Sequence, residues 1–345
     1  MNLNDIGHSI LDETSTPEAL RAALDAFVEL CVGVTGIQPD VSFDAWADDS
    51  MLPSGVAINP KAAAHCVVDY QRSVVFIRSV YAAITTMEAD YPDTNLQVLY
   101  AGCGPYATLL LPLLDRFTGR GLNITLLDIH QRSLDSVALL LERFECSHHS
   151  IQLINCDACN YRPTQQFHLI LSETMQKSLE QEPQFAITAN LAPYLMTGGV
   201  FIPQCIEVEL CLANLANEKV LIDRLPKLAH IGLKATKQRH RLATVLTLSP
   251  ERAAYQLLTA QYQARTDKIE LAPTIVDIPI LPNVAAMDLV FFTRICVFKQ
   301  YKLEDYECEI TLPLKYYGLP TLSGGERFDV SYQLGSYPKF NIEPH

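Results

Sequence analysis

The sequence predicts an α/β protein with a doubly wound parallel sheet, helices before it and an antiparallel β-rich region after it. From Leu96 onward, short apolar runs alternate with segments of helical periodicity, which is typical of parallel strands joined by crossover helices. Beyond residue 203 the apolar runs are rich in β-branched and aromatic residues, and several alternate with polar ones. That composition is typical of antiparallel strands.

The N-terminal third is expected to be helical. In "STPEALRAALDAFVELCVG", Thr16 can cap a helix and Pro17 suits its first turn. The stretch "KAAAHCVVDYQRSVVFIRSVYAAITTMEADYP" stays mostly apolar until Pro92. We therefore expect one long helix there, with Arg72 and Arg78 interrupting its apolar surface, and a first segment that covers residues 1–92.

Residues 93–203 are predicted to form the sheet domain. The expected strands are "LQVLYA", "NITLLDI", "IQLIN" and "FHLILS", followed by a helix and a last strand at "GGVFIP". We predict that "ATLLLPLLDRF" and "SLDSVALLLERF" form helices between them.

Residues 204–345 are predicted to form a second, β-rich domain. Its expected strands are "CIEVELCL", "ATVLTL", "LVFFTRICVFK", "YECEITLPL" and "FDVSYQL". Residues 214–241 interrupt this series and are interpreted as an insertion or a helical arm.

Composition disfavours some partners. The chain of 345 residues has 26 Lys and Arg against 39 Asp and Glu, a net charge of −13. An acidic protein is poorly suited to nucleic acid or to an anionic membrane surface. No apolar stretch approaches the roughly 18 residues of a membrane span, and the start lacks the pattern of a signal peptide. We expect a soluble, cytoplasmic protein with reduced cysteines, although the C-x-x-C of Cys156 and Cys159 leaves a zinc site as a weaker alternative.

Three predicted strand ends carry residues that suit a nucleoside. The first strand runs into Gly102-Cys103-Gly104, a turn that lets backbone approach a ligand and can aim amide N–H groups at it. Asp128 ends the second strand, where a carboxylate can accept hydrogen bonds from ribose hydroxyls, and Asp157 follows the third. Residues 102–107 also fit a permissive dinucleotide fingerprint, so a nicotinamide-dependent dehydrogenase is an alternative. The direct passage from the last strand into a β-rich domain weighs against it.

The order of "VLYAGCG", "LLDI", "NCDA", "LILSETM" and "LAPYLMTGGVFIP" resembles class I S-adenosylmethionine-dependent methyltransferases, and more narrowly the protein arginine methyltransferases. The resemblance covers about residues 60 to 205. It implies a Rossmann-like sheet, an antiparallel β-barrel-like C-terminal domain, S-adenosylmethionine as the cofactor and no metal. It also implies an N-terminal segment that completes the cofactor site and a possible homodimer, with residues 214–240 as the place for a dimerisation arm.

The resemblance implies roles for individual residues. Gly102 and Gly104 would line the methionine end of the cofactor, Asp128 would hold the ribose, and Asp157 would face the adenine. In "VDYQRSVVF", Arg72 is at the position that binds the cofactor carboxylate. Ser172 at the end of the fourth strand is expected to contact the cofactor. Tyr100 departs from the family, because many members carry an acidic residue at that position, but it is still expected to pack on the cofactor.

Two glutamates follow the fourth strand with the family's spacing. Ser172-Glu173 is followed by Glu182, nine positions after the first glutamate. A guanidinium is a poor nucleophile because it is protonated and delocalised. Two carboxylates can orient it through charge-assisted hydrogen bonds and leave one nitrogen free to attack a sulfonium methyl. The alternative is that Glu182 is solvated near a helix start and Glu173 bonds locally.

Departures from the family leave the methyl acceptor open. The Thr-His-Trp loop is absent, and "PLKYYGLPTLSGG" stands near its place. Tyr316 or Tyr317 would supply an aromatic wall there unless they are core residues, and of the Met-Gly-Tyr after Ser-Glu only Met175 remains. We expect an S-adenosylmethionine-dependent N-methyltransferase for a guanidine or similar cationic nitrogen, on free arginine, another small molecule or protein arginine. The alternatives are another amine or hydroxyl acceptor and a non-catalytic binding protein.

Overall fold

A computed structural model describes residues 1–40, 42, 49–119, 121–218, 239–263 and 268–345. In this part of the chain a helical N-terminal segment precedes one parallel and two antiparallel sheets of five strands each. The predicted α/β fold class is confirmed, although the described antiparallel strands form two separate sheets and not one closed barrel. Within the described ranges no helix is both long and apolar enough to span a bilayer. The division at residues 92 and 203 stays a prediction.

The first two helices begin at the caps that the sequence predicts. Helix α1 spans Leu3–Leu11, and α2 spans Pro17–Thr35 with the Thr16 hydroxyl accepting the Ala19 N–H at 3.2 Å. Helix α2 ends at a glycine with φ of 70°, a left-handed conformation that favours this residue. Just beyond it, the Ile37 carbonyl accepts the Tyr106 hydroxyl at 2.5 Å, which ties the helices to the parallel sheet.

The predicted long helix is interrupted at Asp69. The chain forms a small hairpin of β1 (Ser50–Leu52) and β2 (Gly55–Ala57), then helix α3 (Pro60–His65), a 3₁₀ turn and helix α4 (Tyr70–Asp90). Asp69 has a non-helical ψ of 78°, and its carboxylate accepts the backbone N–H of Glu309 at 2.9 Å. A hydrogen bond to a distant segment thus competes with helix continuation.

The parallel sheet follows the prediction strand for strand. Its strands lie in the order β5-β4-β3-β6-β7, and their bounds are β3 Gln97–Ala101, β4 Asn123–Asp128, β5 Ser150–Asn155, β6 Phe167–Ser172 and β7 Leu195–Ile202. The chain fills one side of β3 and then crosses to the other at β6. Ligands of such sheets bind outside the carboxyl ends of the strands at this reversal. Helix α5 (Gln131–Arg143) joins β4 to β5, and α6 (Gln184–Leu191) joins β6 to β7.

The helix predicted at residues 107–117 is wrong. Turns follow β3, and Leu111–Phe117 form a 3₁₀ helix. Ala107 has a positive φ of 44°, and Pro112 lacks the N–H that an α-helix would use. The apolar residues pack into the core in this irregular form.

The C-terminal region consists of the two antiparallel sheets and one helix. One sheet has the order β14-β13-β8-β9 with β15 on β13, and the other has β10-β11-β16-β12 with β17 on β16. The bounds are β8 Cys205–Ala213, β9 Arg239–Leu248, α7 Pro250–Leu258, β10 Gln261–Gln263, β11 Lys268–Glu270, β12 Thr274–Asp277, β13 Asp288–Phe298, β14 Tyr301–Leu303, β15 Leu314–Lys315, β16 Arg327–Gln333 and β17 Lys339–Pro344.

The strand predicted at "YECEITLPL" is wrong. A turn and a 3₁₀ helix at Glu309–Thr311 occupy most of it, before the two-residue strand β15. Two bonds between residues three apart hold the turn: the Thr311 hydroxyl accepts the Cys308 N–H, and the Cys308 carbonyl accepts the Thr311 N–H. Side-chain hydrogen bonds of this local kind compete with strand pairing.

The predicted arm at residues 214–240 lies mostly outside the described residues, which end at 218 and resume at 239. Glu218 and Arg239 form a two-point ion pair with distances of 2.9 and 3.0 Å. Arg239 also contacts the Asp305 carboxylate at 2.7 Å, and its guanidinium carbon lies 3.6 Å from the centre of the Phe292 ring. Both acids are almost fully buried. Asp305 has a second cation, because Arg294 lies 3.3 Å from it, so the charge of Glu218 depends on Arg239 more than that of Asp305 does.

Replacing Arg239 with alanine is expected to lower the free energy of unfolding by about 3–5 kcal/mol, because it removes the arginine that pairs with the buried Glu218 and leaves Asp305 with Arg294 alone. Arg241→Ala is the control: its side chain is 63% exposed, and its partner Glu209 keeps a second arginine, Arg294, at 2.9 Å. Urea unfolding followed by circular dichroism measures both. Equal losses for the two variants would contradict the assignment.

Candidate functional site

One large pocket opens at the carboxyl ends of β3, β4 and β6, where the strand order reverses. It holds about 1000 Å³ of empty space including its mouth. Strand ends, the segment around α3 and α4, and the β1–β2 hairpin form its walls. Most of the sequence-predicted site residues line it, namely Arg72, Tyr100, Gly102, Gly104, Asp128, Asp157, Glu173 and Glu182.

The glycine turn leaves space for a ligand, but two of its backbone N–H groups donate to the protein and not to a ligand as predicted. Gly102 and Gly104 have φ of 70° and 63°. The N–H groups of Gly102 and Cys103 donate to the Leu127 carbonyl at 2.9 and 3.0 Å, so β4 uses these donors. A Cβ on Gly102 would lie 2.4 Å from the Cγ2 atom of Thr174. The turn therefore allows a close approach between strand ends without offering these two amides to a ligand.

Asp128 connects the glycine turn to the loop after β4. One carboxylate oxygen accepts the Gly104 N–H at 2.9 Å, and the other accepts the His130 N–H at 2.8 Å. A carboxylate oxygen can accept more than one hydrogen bond, so this buried side chain keeps acceptor capacity toward the pocket. The His130 ring lies beside it, and its Nε2 atom is 3.1 Å from the hydroxyl of Ser50 in β1.

Asp157 lines the pocket and also caps its own turn. Its carboxylate accepts the Cys159 N–H and the Asn160 side-chain amide, both at 2.8 Å. Burial raises the pKa of the Cys156 thiol to about 11 and that of Cys159 to about 12. Protonated thiols are poor metal ligands, and no cluster of three or more His, Cys, Asp or Glu is present in the described ranges.

Glu173 is held at the end of β6 by Arg72 from α4. The Arg72 Nη2 and Glu173 Oε2 atoms form an ion pair, and each side chain is about 10% exposed. The second oxygen, Oε1, is buried and has no hydrogen-bond partner among the residues that the structure describes. Burial raises the pKa of Glu173, and the charge of Arg72 opposes that rise. One oxygen is therefore committed to the protein and the other is free.

Glu182 shares the pocket and lacks a strong counter-charge. Its side chain is buried, and its pKa is raised to about 8, first by burial and then by the negative charge of Glu173. Arg72 opposes this shift but is already paired with Glu173. The site therefore holds two coupled acids, of which Glu182 is mostly protonated at neutral pH when the pocket is empty.

Four predicted residues do not line the pocket. Ser172 and Met175 are buried beneath it, and the Ser172 hydroxyl lies 3.3 Å from that of Thr174. Tyr316 packs edge-on against Phe291, and its hydroxyl accepts the Ile342 N–H at 3.1 Å. Tyr317 is 76% exposed. Both tyrosines line a different cavity beside β15, so neither forms an aromatic wall for the two glutamates.

Sequence reasoning missed four parts of the site. Leu52 and Val56 of the β1–β2 hairpin line the pocket, as do His130 and Thr174. Asp69 at the helix break is also close to the acids, because its negative charge contributes to the raised pKa of Glu173. The sequence does contain a signal for the hairpin, because "MLPSGV" has turn residues between short apolar pairs. His130 and Asp69 carry no comparable signal.

No family model matches the chain, and no curated protein matches it. The solved structures that are similar to this chain include the following two. Protein arginine methyltransferase 10 of Arabidopsis thaliana has a TM-score of 0.48 at 10% identity, over 78% of this chain and 86% of that one. The PRMT1 enzyme–prozyme heterotetrameric complex of Trypanosoma brucei with AdoHcy has a TM-score of 0.45 at 11% identity, over 81% and 92%. Likenesses at this level assign no chemistry to this chain.

Replacing Glu182 with glutamine is expected to stabilise the protein in a pH-dependent way. The raised pKa means that the folded protein binds this proton more tightly than the unfolded chain does. Stability is therefore lost as pH rises from the ordinary value of 4.5 through about 8. Glutamine has no proton to lose, so the variant should gain roughly 1–4 kcal/mol at pH 8.5 and almost nothing at pH 4.5.

Denaturant unfolding at both pH values measures this difference. The exposed Glu142→Gln in α5 is the control and should change stability equally at the two pH values. An unchanged or lower stability of Glu182→Gln at pH 8.5 would show that Glu182 is not the buried, poorly compensated acid described.

Proposed function

We propose that this chain is an S-adenosylmethionine-dependent N-methyltransferase whose acceptor is a guanidine or a similar cationic nitrogen, on a small molecule or a protein arginine. One observation carries the proposal. A single pocket joins acids at the ends of adjacent parallel strands, Asp128 and Asp157, to a pair of buried glutamates, Glu173 and Glu182. The first pair suits a nucleoside and the second suits a cation.

The residues present fit the cofactor. Asp128 has unused acceptor capacity for the ribose hydroxyls, the glycine turn leaves room for the methionine part, and Asp157 lies at the far strand end with Cys156 and Ala158, where adenine would lie. Arg72 would bind the cofactor's carboxylate while it holds Glu173. When bound, the cofactor supplies an electrophilic methyl group on a sulfonium, which leaves as a neutral thioether.

The two glutamates provide what a cationic acceptor needs. Oε1 of Glu173 is available to accept a hydrogen bond, and Glu182 lies close enough for the two charges to repel each other. A cation between them favours ionisation of Glu182, which then releases its proton. Two carboxylates would orient a guanidinium and draw its positive charge toward the nitrogens they hold. The remaining nitrogen would then face the methyl donor with more of its lone pair available. As its bond to the methyl group formed and the sulfur–methyl bond broke, this nitrogen would lose one proton to solvent.

Cofactor binding tests the nucleoside half of the proposal. Asp128→Asn should raise the dissociation constant of S-adenosylhomocysteine by about 10- to 100-fold, because an amide cannot accept both the Gly104 and His130 N–H groups. Calorimetry measures it, and Asp135→Asn on the exposed face of α5 is the control with unchanged affinity. Tighter binding of a nicotinamide dinucleotide would support a dehydrogenase, and absence of any nucleoside binding would contradict the proposal.

Methyl transfer tests the acceptor half. Labelled S-adenosylmethionine is incubated with free arginine, an arginine-rich peptide and cell extract, and the products are identified by mass spectrometry. We expect label on a guanidine or cationic amine, and a loss of about 100-fold or more in kcat for Glu182→Gln. Glu180→Gln is the control, because the Glu180 backbone carbonyl, which accepts the Glu182 N–H at 2.7 Å, is unchanged by the substitution.

Full activity of Glu182→Gln would refute the paired-glutamate assignment. Label on a hydroxyl or a neutral amine would support a methyltransferase of another acceptor class. Cofactor binding with label on none of the acceptors would favour a non-catalytic binding protein.

A further inference from the structure

The β1–β2 hairpin forms one wall of the pocket. Leu52, Val56 and Ala57 line the cavity, while Met51 is 66% exposed on the outer face. Only three residue pairs connect the two strands. A hairpin this short is not stable alone, so its position must be set by contacts with its neighbours.

At the end of the pocket assigned to the methyl acceptor, the hairpin packs directly on the loop that carries Glu182. The Val56 N–H donates to the Gln181 carbonyl at 2.7 Å. Gly55 has φ of 146°, and a Cβ there would lie 2.8 Å from both the Gln181 carbonyl oxygen and the Pro183 nitrogen. It would also lie 3.0 Å from the Glu182 carbonyl carbon. All three are backbone atoms, which cannot rotate away, so a side chain at Gly55 would displace the backbone around Glu182.

At the cofactor end, the same hairpin contacts the loop after β4. The Ser50 hydroxyl lies 3.1 Å from Nε2 of His130, whose backbone N–H donates to Asp128 at 2.8 Å. The base of the hairpin is fixed separately, because the Asp49 carboxylate accepts the backbone and side-chain N–H groups of Asn59 at 2.7 and 2.9 Å. The hairpin therefore bridges the residue assigned to ribose and the residue assigned to the acceptor.

We propose that the β1–β2 hairpin is a positioning strap: Gly55 sets the placement of Glu182, and Ser50 sets the placement of His130 and through it Asp128. This inference rests on the proposed methyl transfer and adds to it two residues that touch neither donor nor acceptor. A carboxylate that must grip a cation in one orientation tolerates little displacement, and a shift of about 1 Å can cost 100-fold in rate.

The proposal predicts separate effects at the two ends. Gly55→Ala should lower kcat by about 10- to 100-fold, with the dissociation constant of S-adenosylhomocysteine changed by less than about threefold. Ser50→Ala should raise the dissociation constant of S-adenosylhomocysteine by about three- to tenfold and should change kcat little. Ser50→Thr keeps the hydroxyl and should restore most of the affinity.

The matched control for Gly55 is Gly318→Ala. Gly318 also has a positive φ, 103°, but a Cβ there would meet no heavy atom within 4 Å. Gly318→Ala therefore measures the cost of an alanine at positive φ without a clash of its Cβ with neighbouring backbone. This variant should leave kcat and cofactor affinity unchanged. All variants are made in the full chain, and their folding is compared by circular dichroism.

The outcomes separate this inference from the proposed function. If the unmodified protein transfers no methyl group, the proposed function has failed; the cofactor affinities of the Ser50 variants, which need no turnover, still test the strap. Folded Gly55→Ala with normal kcat, or with equal losses in kcat and affinity, would overturn the positioning role. If Gly55→Ala does not fold, Ser50→Ala decides: unchanged cofactor affinity would overturn the strap.

Discussion

The site depends on the charge balance of one small buried volume. Glu173 and Glu182 share it, and the arginine that compensates them, Arg72, is bound to only one of the two. Burial and mutual repulsion keep a proton on Glu182, which limits the cost of the empty pocket. Acids with pKa values shifted in this way by burial and by a neighbouring charge cluster at functional sites.

The surrounding fold places each of these groups by a different means. Glu173 follows β6, an inner strand paired on both sides, so its backbone is fixed by the sheet. Arg72 lies in the first turn of α4, and the break at Asp69 lets that helix start beside the strand ends. Glu182 is on the loop before α6, which no sheet fixes. Its backbone is held by hydrogen bonds from Val56 to Gln181 and from Gln181 to Pro338, which explains why a short hairpin can matter at this site.

The sequence predicted what local patterns determine. The five parallel strands follow from apolar runs, and the alignment of Asp128, Asp157 and Glu173 follows because parallel strands end at one edge. The predictions from sequence failed where contacts between distant parts of the chain determine the local structure. The helix break at Asp69 depends on Glu309, 240 residues away, and the glycine-turn amides bond to β4, which no spacing reveals. Tyr316 and Tyr317 stand near the place of the family's Thr-His-Trp loop, which this sequence lacks. Tyr316 packs against Phe291 and does not reach the pocket that holds the two glutamates.

The same charge balance restricts what the pocket can accept. A neutral hydroxyl would leave Glu182 protonated and would gain little from a second acid beside Glu173. A cation is favoured by both, and it is favoured more as pH rises toward 8, because Glu182 then releases its proton at lower cost. A guanidinium keeps its charge throughout that range, so its binding should strengthen with pH where a neutral acceptor's would not. Under the proposed function, selectivity for positive charge would follow from placing two acids and one arginine in one buried pocket.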